Sequence, residues 1–240
     1  MSEEKKNIVF NITSLSQSTL LLALIGQLMI LPLFEGSVIA FFLVHFAYTI
    51  IFFSGIVLLI RRRRELGPSL GVLLLLVPIS WATYFSDQPW LFVISCVLSA
   101  LFFAVLAVFL ILRVVRHYWA TAQSIIGALN AYLLVGLAFA MLYYATDRIE
   151  NESLVVTIQT SASATTGDND LTPFSQIVYF SFVTMTTLGY GDIHPETAMT
   201  RTLAWMQAVV GQFYIAVVVA WLISAIPAHK KAEEAKKKEQ

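Results

Sequence analysis

The sequence predicts an all-α membrane protein with six transmembrane helices and one half-length helix that enters the bilayer without crossing it. Hydrophobic residues make up 58% of the 240 residues, charged residues only 12%, and the mean hydropathy is +0.76. A soluble domain carries about 25% charged residues, so this balance indicates a chain surrounded by lipid. The net charge is zero and no basic, aromatic-rich patch occurs, so nothing indicates a nucleic-acid partner. The single cysteine, Cys96, excludes an intrachain disulfide and a thiol metal cluster.

Six apolar runs are predicted to span the membrane, because a spanning helix needs about 20 mainly apolar residues. A seventh run, from Phe174 to Met185, is too short to cross and is predicted to be the half-length helix. The six predicted spans are residues 18–34, 38–60, 69–85, 90–112, 123–144 and 202–226.

The predicted orientation places both termini in the cytoplasm, because lysine and arginine collect on that side of a membrane. With the N-terminus inside, 13 of the 15 basic residues are cytoplasmic, including the run at 61–64, and only Arg148 and Arg201 lie outside. The long loop at 146–173 is then external. Its acidic residues are either part of a solvated loop or a field that concentrates cations near an entrance. These residues are Asp147, Glu150, Glu152, Asp168 and Asp170.

The spans divide the chain into two domains with short polar ends. Residues 1–17 are predicted to be a cytoplasmic N-terminus and 18–116 a four-helix domain. Residues 117–226 form the second domain, in which two long helices flank the half-length helix, and 227–240 form a short cytoplasmic tail. The chain is therefore predicted to be a multi-pass protein of the cell membrane.

The half-length helix has start signals at its N-terminus. Thr172 is predicted to be the N-cap, and Pro173 suits the first helical position. A helix of this length extends about 20 Å, roughly half a bilayer. Entering from outside, it points its C-terminal partial negative charge at the membrane centre, where it stabilises a cation.

The stretch Thr187-Leu188-Gly189-Tyr190-Gly191 follows that helix at membrane depth. Successive carbonyl groups point to opposite sides of a strand. For all of them to point to the same side, the backbone must alternate between right-handed and left-handed conformations. Gly189 and Gly191 reach positive φ without penalty, so they are predicted to supply those positions. One chain provides one carbonyl at each level, too few to replace the hydration shell of an ion. Four chains around an axis are therefore predicted, with the Thr187 hydroxyl as an innermost ring and Tyr190 packed on the half-length helix.

The sequence TTLGYGD, between a short aromatic helix and a long apolar one, resembles the selectivity filter of potassium channels, usually written T-V-G-Y-G-D. The resemblance covers residues 123–226 and is to the six-transmembrane, tetrameric, prokaryotic type. It implies that Thr187, Leu188, Gly189, Tyr190 and Gly191 coordinate K⁺, that Asp192 is a carboxylate of the outer mouth, and that no other cofactor is needed.

The chain departs from the family pattern in the residues around this stretch. Leu188 replaces the commoner valine, which affects packing rather than the backbone oxygen. Some bacterial members have a glutamate where Val183 stands, and the family's two tryptophans are replaced by Tyr179 and Phe180. How Asp192 is held is therefore left open by the sequence.

The last span contains candidates for a gate. Gly211 has two alternative explanations, a hinge of the kind the family places in this helix or close helix packing, since a helix glycine costs about 1 kcal/mol relative to alanine. Ile215, Val219 and Ile223 are four residues apart and form one apolar stripe in an α-helix. The stripe either closes a pore by dewetting or is a packing surface.

The resemblance also implies that the first four spans correspond to a voltage sensor, but this one lacks gating charges. The fourth span has no charged residue before Arg113 and Arg116 at its inner end. The predicted function is therefore a potassium-selective channel that is not strongly voltage-gated, with lipid and three further copies of the chain as partners. A less selective cation channel and a potassium-uptake transporter are the alternatives. An enzyme is not expected, because no nucleophile, base and orienting residue occur together.

Overall fold

The computed structural model describes residues 3–33, 38–60, 66–85, 88–116, 121–150, 153–156 and 173–225. Within these ranges the chain forms seven α-helices. A short 3-10 turn, Leu31–Leu33, follows the first helix, and a π-helix, Tyr214–Val219, continues the last one and leads back into α-helix up to residue 225. The helices are α1 (Glu3–Ile30), α2 (Val38–Leu59), α3 (Leu66–Phe85), α4 (Pro89–Arg116), α5 (Ala122–Ile149), α6 (Phe174–Met185) and α7 (Ala198–Phe213).

Five helical segments in the described ranges are long and apolar enough to cross a membrane. The described apolar stretch of α3, residues 74–83, is shorter than the roughly 20 residues that a span requires. Five of the six predicted spans are therefore confirmed by length and composition, and the chain is a multi-pass membrane protein. The five segments are Thr13–Ile30, Phe42–Leu59, Pro89–Arg116, Ala122–Ile149 and Ala198–Ala225.

Helix bounds differ from the predicted spans mainly at the polar ends. The helix α1 begins at Glu3, fifteen residues before the predicted first span, so most of the polar segment 1–17 continues this helix. Likewise α4 continues through Arg113 to Arg116. Hydropathy detects only the apolar part of a helix, whereas backbone hydrogen bonding continues into the polar flank.

Hydrogen bonds and close contacts join the helices, as expected where lipid removes the hydrophobic drive for association. Ser16 on α1 and Ser54 on α2 each donate to the carbonyl of the other, at 3.0 and 2.6 Å. The α1–α5 contact contains the bond from Asn130 Nδ2 to the Gln17 carbonyl, at 2.9 Å. At Gly55 a Cβ would lie 2.6 Å from Leu106, so α2 and α4 approach closely there.

The helix α4 packs along α5 of the same chain. Its buried face includes Phe103, Leu106 and Leu110, which are fully buried, while Leu101 and Val108 on the opposite face are more than half exposed. This helix therefore has one protein-facing and one outward-facing side, although both are apolar.

A two-stranded antiparallel sheet is the one addition to the all-α prediction among the described residues. Strand β1 (Leu154–Val156) pairs with β2 (Ile193–Pro195), and Val155 lies opposite His194. Each strand has only three residues, too few to show a period of two, so the sequence pattern did not predict it.

Ser153, directly before β1, connects the sheet to two helices. Its hydroxyl donates to Asp147 Oδ1 on α5 at 3.1 Å, and its carbonyl accepts from Thr200 Oγ1 on α7 at 3.0 Å. Asp147 is buried, so its predicted place in a solvated loop is wrong. The other expectations about acidic positions 152, 168 and 170, the Thr172 cap, the arginines at 61–64 and the tail at 227–240 lie outside the described residues.

Candidate functional site

The half-length helix α6 has the predicted bounds, Phe174–Met185. Pro173 has φ −55° and ψ 142°, so it precedes the helix as its N-cap and does not take the predicted first helical position. Proline fixes φ near the helical value but leaves ψ free, which is why both positions suit it. Twelve residues extend about 18 Å, which is too short to cross a bilayer.

A buried polar network holds α6 between α5 and α7. Ser181 Oγ donates to the Gly136 carbonyl at 2.7 Å, and Gln207 Nε2 donates to Ser181 Oγ at 2.7 Å and to its carbonyl at 3.0 Å. Tyr143 Oη donates to Gln207 Oε1 at 2.9 Å. Tyr143, Ser181 and Gln207 are all fully buried. The network therefore connects three helices through bonds shielded from water.

Gly136 allows the close approach that this network needs. A Cβ at this position would lie 2.6 Å from the Phe182 ring on α6. A larger residue would require the Phe182 ring, or α6 together with it, to move away from α5.

After α6 the backbone alternates between left-handed and right-handed conformations. Thr187, Gly189 and Gly191 have φ values of 60°, 57° and 77°, whereas Leu188 and Tyr190 between them do not have positive φ. Both glycines therefore have the conformation that the sequence predicts. A positive φ was not expected at Thr187, because this conformation is unfavourable for a β-branched residue. A non-glycine residue held in this region marks a segment whose conformation is imposed by its surroundings.

The side chains of this segment have few contacts within the chain. Leu188 is 54% exposed and Tyr190 is 67% exposed, so the expected packing of Tyr190 on α6 does not occur within one chain. Thr187 Oγ1 donates to the Thr186 carbonyl at 2.6 Å and accepts from Gln212 Nε2 on α7 at 3.3 Å. Gln212 was not among the predicted site residues, because it lies 25 residues further along the chain on another helix.

Asp192 is held at the end of this segment by two hydrogen bonds. Tyr179 Oη on α6 donates to Asp192 Oδ2 at 2.7 Å, and the Ile193 amide donates to Oδ1 at 3.0 Å. Tyr179 therefore supplies the support that the sequence left open. The bond to the Asp192 carboxylate raises the pKa of Tyr179 to about 12, so the phenol remains a donor at physiological pH.

Gly211 is a site of close packing. A Cβ there would overlap the Met185 carbonyl at the end of α6, so alanine does not fit without a backbone shift. Of the two explanations offered by the sequence, the structure favours packing. The irregularity in this helix lies three residues further on, in the π-helix Tyr214–Val219.

The proposed gate residues do not form a uniform stripe. Ile215 and Ile223 are 46% and 63% exposed, whereas Val219 is less exposed than either and Val218 beside it is buried. The π-helix has a wider turn than the α-helix, so α-helical counting across Tyr214–Val219 does not give the face on which the residues beyond it lie. The prediction assumed an uninterrupted α-helix, which the described helix is not, and the gate formed by Ile215, Val219 and Ile223 stays a prediction.

These features define a class of protein, a multi-pass membrane protein in which a half-length helix and a loop of alternating hand lie between two spanning helices. Residues 131–227 match the protein family described as "Ion channel", and this range contains α6, the loop and α7. This part of the chain is therefore similar to an ion channel domain.

A curated relative carries a similar segment. The chain is 29% identical over 106 residues to "Two-pore potassium channel 3" of Arabidopsis thaliana. The aligned part covers 44% of this chain and 21% of that protein, so the chain spans about a fifth of the length of the relative. No solved structure matches the chain.

Proposed function

We propose that the chain is one subunit of a homotetrameric, potassium-selective channel that conducts K⁺ passively across the cell membrane. The observation that carries this proposal is the alternation of φ at Thr187, Gly189 and Gly191 directly after the half-length helix. In such a backbone successive carbonyls turn toward the same side, which gives a row of oxygen ligands suited to a dehydrated cation.

The exposure of this row supports an assembly. Residues 186–191 are all exposed within one chain, although they follow a helix of a membrane-embedded domain. Non-helical backbone at membrane depth is tolerated only where other protein covers it or where it lines a water-filled path. Four copies around an axis satisfy both conditions and give four oxygens at each level. Tyr190, two-thirds exposed in the single chain, would then be covered by a neighbouring subunit.

Two features of the surroundings favour a cation. The C-terminal end of α6 carries the partial negative charge of the helix and leads directly into the loop. Asp192, held by Tyr179 and by the Ile193 amide, adds a carboxylate at the other end of the loop. In this proposal Leu188 and Tyr190 contribute backbone oxygens, and both termini are cytoplasmic because of the distribution of lysine and arginine.

The test is ion flux from the purified full-length chain in phospholipid vesicles. We expect K⁺ to pass and Na⁺ to be excluded, measured as a reversal potential with K⁺ on one side and Na⁺ on the other. A reversal potential near zero would instead assign the chain to less selective cation channels. Absence of flux from a correctly assembled tetramer would contradict the proposal.

A further inference from the structure

A groove lies between α1, α2 and α3, away from the loop and helices of the ion channel domain. Its cavity volume is about 690 Å³, within the range of about 300–1,000 Å³ that is typical of small-ligand pockets. The two buried serines Ser16 and Ser54 form its floor, and the exposed side chains of Leu15, Phe53 and Leu74 form its rim. The remaining lining residues are Thr19, Thr49, Ile50, Val57, Val77 and Pro78.

The hydroxyl groups of the lining already have acceptors. Ser16 and Ser54 each donate to the carbonyl of the other, at 3.0 and 2.6 Å. Thr19 and Thr49 donate to the carbonyls four residues earlier in their own helices, at 2.9 and 2.8 Å. The other lining side chains are hydrocarbon. Since no lining hydroxyl requires a further acceptor, the groove is suited to an apolar occupant.

The surroundings of the groove are hydrocarbon as well. Both α1 and α2 contain segments apolar enough to cross a membrane, and all the residues that they contribute to the lining lie inside those segments, Thr13–Ile30 and Phe42–Leu59. The rim residues Leu15, Phe53 and Leu74 are 71%, 60% and 73% exposed, so the groove opens at the outer surface of these helices. In a bilayer that opening faces lipid.

We propose that this groove binds one acyl chain of a bilayer phospholipid. A helix with its side chains is about 10–12 Å across, too wide to reach a floor formed where Ser16 and Ser54 join two helices directly. An acyl chain is slender and flexible enough to lie on the serines between the large rim residues. The two small serines therefore have two effects, since they hold α1 against α2 and leave depth for the chain.

The experiment uses the full-length chain in phosphatidylcholine vesicles that contain a phosphatidylcholine with a diazirine at the end of one acyl chain. After illumination, the cross-linked residues are located by mass spectrometry. We expect several-fold more label on groove residues such as Val57 and Val77 than on the outward face of α4, for which Leu101 and Val108 serve as the comparison.

Substitutions at one groove position then test occupancy directly. Val57→Trp fills the groove and is expected to reduce groove labelling several-fold, whereas the matched variant Val108→Trp, on the outward face of α4, leaves it unchanged. Val57→Ala keeps the groove open and is expected to retain the label. Each variant is compared after its elution volume and helix content are found to equal those of the unchanged chain, and Val57→Phe replaces a tryptophan variant that does not fold.

Three results would overturn the proposal. Equal labelling of the groove and of the outward face of α4 would mean that lipid only solvates both. Stronger labelling from a diazirine on the headgroup would assign the groove to a polar ligand. Cross-links between two copies through Phe53 or Leu74 would make it an interface between chains. None of these readouts involves ion flux, so their failure is distinguishable from failure of the proposed channel function.

Discussion

Two clusters of buried polar side chains differ in their hydrogen bonding, one in the inner half (α5 to α7) and one in the outer half (α1 to α4), although each half also holds exceptions such as Asn130 Oδ1 on α5, which has no partner among the described residues. In the inner half, formed by α5, α6 and α7, the side chains of Tyr143, Ser181 and Gln207 are fully buried and bond to one another. In the outer half, Gln27 on α1 and Tyr48 on α2 are buried too. Among the described residues, neither amide atom of Gln27 nor the Tyr48 hydroxyl has a hydrogen-bond partner.

This difference indicates what each half is built to do. A satisfied buried network fixes one geometry, because any shift leaves a polar atom without a partner. The inner half needs such precision, since the loop after α6 holds Thr187 at an unfavourable φ. In the outer half the buried side chains of Gln27 and Tyr48 form no such set of bonds among the described residues, so they do not fix one geometry in this way.

The largest expected effect comes from Gly189→Ala. A Cβ at Gly189 meets no atom within 4 Å in the chain, but φ is +57°, so the substitution is opposed by backbone conformation alone. Left-handed backbone costs about 1–2 kcal/mol per residue for L-amino acids, repeated in each of the four proposed subunits. We expect loss of K⁺ over Na⁺ selectivity, measured by reversal potential in vesicles.

Gly26→Ala is the matched control for that substitution in the outer half. A Cβ at Gly26 also meets open space, but this residue lies inside α1 and has no positive φ. Alanine there is expected to stabilise the helix by up to about 1 kcal/mol and to leave selectivity unchanged. Equal effects of the two substitutions on selectivity would remove the distinction between the two halves.

Gln207→Met is expected to have the next largest effect. It keeps the side-chain length but leaves the Tyr143 hydroxyl buried without its acceptor, which costs about 1–3 kcal/mol. The free energy of unfolding of the purified protein should fall by this amount, measured by thermal denaturation in detergent with selectivity measured in parallel. An unchanged unfolding midpoint would show that the network adds nothing.

Tyr179→Phe is expected to affect the outer end of the loop more than the stability of the protein. It removes one of the two hydrogen bonds to Asp192 and keeps the ring. We expect the conductance to decline faster at low external K⁺, and Tyr179→Trp, which retains a donor, to restore part of the difference. If Tyr179→Phe behaves like the unchanged chain, Asp192 does not depend on this bond.

The pH dependence of the Tyr179 bond has a defined direction. The pKa of Tyr179 is raised from 10.0 to about 12, so the bond to Asp192 contributes fully below pH 10 and is lost as the pH rises through about 12. Conductance measured between pH 7 and 9 should therefore show no titration of this group. A loss of the tyrosine-dependent difference within that range would contradict the assignment.

Gln27→Met makes the same chemical change in the outer half as Gln207→Met in the inner half. Its expected effect on the free energy of unfolding has the opposite sign. Both amide atoms of Gln27 are buried beside Tyr48, and neither makes a hydrogen bond of normal geometry among the described residues, so methionine removes the cost of burying the amide and at most one weak contact. We expect the unfolding midpoint to stay the same or to rise slightly. A destabilisation as large as that of Gln207→Met would mean that Gln27 is engaged in the assembled protein.

The smallest expected effect is that of membrane voltage on the conductance. Moving one charge across the whole membrane is worth about 2.3 kcal/mol per 100 mV, and α4 carries only Arg113 and Arg116, both in its last turn. Each can cross only a small part of the field. The conductance–voltage relation in symmetrical K⁺ should therefore be shallow, and a steep sigmoid would show that the outer half senses voltage after all.

The sequence predicted the parts of this site that depend on local chemistry. The bounds of α6 follow from apolar length, and positive φ at Gly189 and Gly191 follows from their spacing around Tyr190. The sequence did not predict the bonds from Tyr143 to Gln207 or from Tyr179 to Asp192. These depend on how neighbouring helices are rotated about their axes, which composition and periodicity do not determine. A short sheet such as β1–β2 has the same difficulty, since three residues carry no period.

The π-helix Tyr214–Val219 changes which residues at the end of the last helix lie on the same face. A π turn holds about one residue more than the 3.6 of an α-helix, so side chains beyond Val219 are rotated by roughly 100° relative to a continuous helix. A position aligned with Ile215 is therefore found one residue later than α-helical counting gives. The direction that the residues beyond Val219 face is therefore set by the wide turn as well as by the packing of Gly211 on Met185.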